Sequence, residues 1–67
     1  MLSKRIKQLR AERSWTQQAL AQKAGLSFNA ITKIEQGVAE YPTLKTLLKL
    51  SRAFGIGLDE LVGNKKT

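Results

Sequence analysis

Residues 16–37 read TQQALAQKAGLSFNAITKIEQG, and their pattern organises the rest of the chain. They divide into two short helices joined at Gly25. Thr16 has a hydroxyl suited to capping the first of these, which carries Leu20, Ala21 and Ala24 on one stripe. Gly25 supplies a left-handed backbone that a side chain with a Cβ resists. Ser27 is placed to cap the second, and Ile31 and Ile34 give it an inward face. Ala21 is small where the two helices should cross most closely, and Leu26 fills the inside of the turn.

This is the sequence form of a helix-turn-helix. The residues facing outward on the second helix are Phe28, Asn29, Thr32, Lys33 and Gln36, with Glu35 the only acid. A helix with that surface suits the DNA major groove. The plainer alternative is that Gly25 ends an ordinary helix between two packed elements.

Working outward, the expected architecture is all-α. Leu2 to Glu12 forms the first helix, with Leu2, Ile6 and Leu9 at i, i+4 and i+7 and Ser3 as a candidate cap. Trp15 reads as a core plug before the Thr16 cap. Gly37 with Val38 reads as a glycine helix ending, and 38–42 as a loop. Pro42 cannot sit inside a helix, so Thr43 caps the next one, which runs to Phe54 with Leu44, Leu47, Leu48, Leu50 and Phe54 as its apolar face. Gly57 to Val62 is a short fifth helix with Asp59 and Glu60 in its first turn, where the helix dipole favours acids. At 67 residues the chain reads as one domain, 1–63, with 64–67 a flexible tail.

The chain has no cysteine and no histidine, and five acids scattered along it. No metal site, cofactor or acid–base catalysis is expected from that set. No apolar run approaches the ~20 residues needed to cross a membrane, and no secretory leader is visible, so the expected location is the cytoplasm. The formal net charge is +7, which favours a polyanionic partner, nucleic acid first. Residues 1–13 carry +4 of it and residues 14–37 only +1. Lys4, Arg5 and Lys7 lie in the first turns of their helix, where the dipole disfavours cations. Either they serve a partner or they form a solvated basic face.

The chain resembles the XRE-type helix-turn-helix domains of the lambda repressor and phage Cro group. The matching residues are Arg10, Thr16-Gln17, Leu20-Ala21, Gly25, Ser27, Ile31, Ile34-Glu35 and Gly37, then Pro42-Thr43-Leu44, Leu47-Leu48, Phe54-Gly55 and Leu58-Asp59-Glu60-Leu61. The resemblance covers about Lys4 to Gly63. It implies a compact five-helix bundle of that type and a double-stranded DNA operator as partner, palindromic and bound by a homodimer. It places base or nearby phosphate contacts at Ser27, Phe28, Asn29, Thr32 and Lys33. Asn29 can bond adenine, Lys33 guanine, and Phe28 can meet a thymine methyl. Phosphate contacts are expected from Arg10, Gln17, Gln36 and Tyr41. Arg10 and Glu35 match residues that form a partly buried ion pair; otherwise they are two unrelated surface charges.

Four departures stand out. The resembled domains usually have Gly where Ser14 stands, an aliphatic residue where Trp15 stands, and basic residues in the loop that here reads Val38, Ala39, Glu40, Tyr41. Phe28 is also unusual at a position more often polar. The functional expectation is a sequence-specific, repressor-like DNA-binding regulator. The alternatives are an antitoxin that regulates its own operon, or a protein-interaction module using Phe28 and Tyr41. A dimer patch is expected among Tyr41, Ile56, Leu58, Leu61 and Val62, with Leu58 and Leu61 the better candidates for plain core.

Overall fold

The computed structural model describes residues 2–38 and 42–62. The elements among them are five α-helices: α1 Leu2–Glu12, α2 Gln17–Ala24, α3 Phe28–Glu35, α4 Leu44–Phe54 and α5 Leu58–Leu61. Ala39, Glu40, Tyr41 and the tail expected at 64–67 lie outside the described residues.

One core is shared by every helix. Ile6 and Leu9 come from α1, Leu20, Ala21 and Ala24 from α2, Ile31 and Ile34 from α3, Leu50 and Phe54 from α4, and Leu61 from α5. Ile6, Leu20, Ile31, Leu50 and Leu61 are completely buried. Truncating any one of these to alanine would cost about 2–5 kcal/mol. α3 packs against α1 and α2, α4 against α2 and α5, and α1 reaches α5. The inner face of α3 is therefore held from two sides while its outer face stays open.

Helix starts follow the hydroxyl residues. Thr16, Ser27 and Thr43 accept hydrogen bonds from the amides of Ala19, Ala30 and Thr46 at 3.0, 3.0 and 3.2 Å. Each satisfies one donor that the first helical turn leaves free. Ser3 does not cap anything in this way: α1 begins at Leu2, so Ser3 lies inside its first turn.

Four helix ends share one hydrogen-bond pattern. At the end of α2, Leu26 N–H bonds Ala21 O at 2.9 Å and Gly25 N–H bonds Gln22 O at 3.3 Å. The ends of α3 and α4 repeat it, with Val38 to Lys33 O at 2.9 Å and Ile56 to Ser51 O at 3.1 Å. The turning residues Gly25, Gly37 and Gly55 have φ of 69°, 81° and 72°. The end of α1 is the fourth case: Trp15 N–H bonds Arg10 O and Ser14 N–H bonds Ala11 O, both at 3.0 Å. There the turning residue is Ser14, at φ 57°, the one described non-glycine residue with positive φ. An apolar residue follows each turn, and Trp15, Leu26 and Ile56 pack back onto the core.

The apolar face of α4 is narrower than its leucines suggest. Leu47, Leu50 and Phe54 face inward, whereas Leu44 is 62% exposed and Leu48 lies at the surface. Ser51 takes a place on the buried face instead, and its hydroxyl donates to Leu48 O at 2.9 Å. Of the expected dimer patch, Leu61 is core, Ile56 and Leu58 lean on the core, and Val62 is exposed.

Ser14 holds a backbone that costs a Cβ-bearing residue about 1 kcal/mol. Ser14→Gly should therefore stabilise the fold, raising the thermal midpoint by about 4–8 °C in a domain of this size. An unchanged or lowered midpoint in a calorimetric scan would show that the serine is not strained.

Candidate nucleic-acid interface

Glu35 is the last residue of α3 and only 2% exposed. Its carboxylate receives Arg10 Nε at 2.7 Å on Oε2 and Arg10 Nη2 at 3.0 Å on Oε1. Gln17 Nε2 donates to the same Oε1 at 2.9 Å. Arg10 Nη1 donates to Trp15 O at 2.9 Å. One carboxylate thus ties α1 and the first residue of α2 to α3, and its arginine also ties the turn between α1 and α2. The hydrogen bonds that Arg10 donates to the Glu35 carboxylate raise the pKa of its guanidinium above the ordinary arginine range, against the opposing effect of burial. No buried side-chain nitrogen or oxygen among the described residues lacks a partner.

This network shapes the outer face of α3. Read as a sequence, that helix offers one acid beside its polar residues. In the fold the acid turns inward and is neutralised by Arg10. The exposed side chains left on α3 are Phe28, Asn29 and Lys33, with Thr32 half-buried and Gln36 exposed at the end. No carboxylate of α3 opposes Lys33 at the surface.

The polar residues here do different jobs. Ser27 Oγ is occupied as the cap of α3. Thr32 Oγ1 donates back to Asn29 O at 2.9 Å. Asn29 and Lys33, four residues apart and so on one side of the helix, line a cleft of about 380 Å³. Its other wall is the start of α4, Pro42, Thr43 and Thr46. Of the side chains expected at phosphates, Gln36 is free at the surface, Gln17 is half-buried on Glu35, and Arg10 commits three N–H groups inward. Tyr41 lies outside the described residues.

The basic first helix also has structural work that its sequence concealed. Arg5 Nε donates to Glu60 O in α5 at 2.9 Å. Arg13 Nη2 donates to Phe54 O, the last carbonyl of α4, at 2.8 Å, and its guanidinium lies 5.0 Å from the Phe54 ring centroid. Trp15 stacks on Phe54 at 5.6 Å, and Lys23 Nζ sits 5.0 Å from the Trp15 ring. Arginines on helix-end carbonyls are favoured by the dipole. Of the five cations before Ser14, only Lys4 and Lys7 are fully at the surface. Among the described residues, no group of His, Cys, Asp or Glu could hold a metal ion.

Comparison with known proteins bears on this geometry. The helix-turn-helix family profile matches residues 6–61. The cryptic phage CTXphi transcriptional repressor RstR of Vibrio cholerae is 34% identical over 67 residues, covering all of this chain and 60% of that protein. The SPbeta prophage-derived uncharacterized HTH-type transcriptional regulator YonR of Bacillus subtilis is 39% identical over 62 residues, 92% of this chain and 56% of that protein. The uncharacterized HTH-type transcriptional regulator MJ0272 of Methanocaldococcus jannaschii is 33% identical over 60 residues, 90% of this chain and 89% of that protein. The chain therefore spans somewhat over half the length of RstR and YonR. No solved structure matches it significantly.

Removing Arg10 leaves a buried carboxylate with only Gln17 to answer it. Arg10→Ala should lower the unfolding free energy by about 3 kcal/mol in urea titrations. Replacing both partners by apolar residues, Arg10→Met with Glu35→Leu, should recover much of that loss. Equal stability of wild type and Arg10→Ala would show that the pair is a surface ornament.

Proposed function

The chain belongs to the XRE-type helix-turn-helix family, and on that premise we propose that it is a sequence-specific DNA-binding transcriptional regulator, repressor-like in action. The observation that carries this reading is the outer face of α3: exposed, free of acid, and held rigidly by Glu35 from within. α3 enters the major groove with its N-terminal turn nearest the base edges. Asn29 reads adenine through N6 and N7, Lys33 reads guanine through O6 and N7, and Ser27, Phe28 and Thr32 complete the reading set.

Phosphates are held by the start of α2 at Gln17, by Gln36 and by Tyr41. Arg10 acts chiefly through Glu35, fixing the angle between α2 and α3. Two copies on a twofold axis bind a palindromic operator, with recognition helices about 34–36 Å apart. The partner is double-stranded DNA in the cytoplasm, no cofactor is used, and the chain is a regulator and not an enzyme. RstR, named a transcriptional repressor, supports the direction of regulation. No described helix is long and apolar enough to cross a membrane.

Selection from a random double-stranded library tests this. The expected result is a palindromic motif whose half-sites lie about 10 base pairs apart and whose binding survives physiological salt. Asn29→Ala and Lys33→Ala should each lose about 1–3 kcal/mol of discrimination, at different positions of the motif. Binding without enrichment, falling steeply with salt, would mean that only the positive charge is engaged and would overturn the reading.

A further inference from the structure

The outer face of α3 is two strips with different chemistry. Asn29 and Lys33 form the polar strip, turned toward the cleft beside the start of α4. Phe28 and Thr32, also four residues apart, form the other, and neither lines that cleft. Phe28 opens the helix and is 49% exposed. Thr32 commits its one hydroxyl proton to Asn29 O, so it has no side-chain donor left for a ligand and carries a γ-methyl beside that oxygen. A helix that is otherwise polar outside thus carries an apolar edge one side chain wide.

Leaving a phenyl ring in water gains nothing for stability, and the core is complete without it. The major groove offers one apolar feature that fits such an edge, the C5-methyl of thymine, and a major-groove ring contact tells it from cytosine. We infer that Phe28, with the Thr32 methyl beside it, reads the 5-methyl group of a pyrimidine, so that the operator carries a thymine next to the base pairs read by Asn29 and Lys33. This rests on the DNA-binding reading above, and it assigns Phe28 to base selection instead of to a protein partner. The same contact would accept 5-methylcytosine, which presents an identical methyl at the same ring position.

The test uses the motif obtained by selection, with deoxyuridine placed at one thymine position at a time. Uracil pairs as thymine does and lacks only the methyl. Wild type is expected to lose affinity about fourfold at one or two positions per half-site, the effect of one methyl returned to water. Phe28→Ala, a surface change that should leave the melting temperature unaltered, is expected to bind the thymine and uracil sites equally at those positions. If uracil costs nothing anywhere, or if Phe28→Ala keeps the full uracil penalty, Phe28 is not a methyl reader and the inference falls while the regulator reading stands. If wild type selects no motif at all, both fall together.

Discussion

A single buried carboxylate sets the geometry on which the rest depends. Glu35 sits at the end of α3 with a guanidinium from α1 and an amide from α2 on its two oxygens. Charge-assisted, two-pronged bonds of this kind fix orientation as well as distance. The apolar residues alone would allow α3 to roll or slide against α1 and α2, because burial is not directional. The ion pair removes that freedom and leaves Asn29 and Lys33 at a defined angle to the start of α2. Its worth lies less in net stability, where desolvation of the carboxylate offsets much of the attraction, than in that registration.

The same pair accounts for the surface charge of α3. Turning the one acid inward leaves a helix whose outside is neutral or positive without adding any cation. The overall +7 is a poor guide to this. Arg5 and Arg13 bond helix-end carbonyls, and Arg13 and Lys23 lie beside aromatic rings, so much of the basic character of the N-terminal third supports the fold.

Much of the fold was legible because local chemistry and tertiary packing agree. Hydroxyl caps at Thr16, Ser27 and Thr43 and glycines at 25, 37 and 55 mark helix limits that the structure keeps within a residue. Periodicity placed Leu20, Ile31, Ile34 and Leu50 in the core. What sequence pattern could not supply were distances across helices. Nothing local says that Arg5 reaches Glu60 O, 55 residues away, or that Gln17 bonds Glu35. Leu44 and Leu48 look like core by type and are exposed, since only the packing of α2 and α5 decides which side of α4 is covered. At the candidate site, the residue types on α3 were readable. That Ser27 and Thr32 spend their hydroxyls on the helix itself, dividing its surface into a polar and an apolar strip, needed coordinates.

Bound as proposed, α3 lies in the major groove with its Asn29–Lys33 side against base edges. Dimethyl sulfate reports this directly, because it methylates guanine N7 in the major groove and adenine N3 in the minor groove. On DNA bound at its preferred site, the expected result is protection of guanine N7 within each half-site and unchanged reactivity of adenine N3 there. Protection of adenine N3 with guanine N7 left reactive would place the protein in the other groove and contradict it.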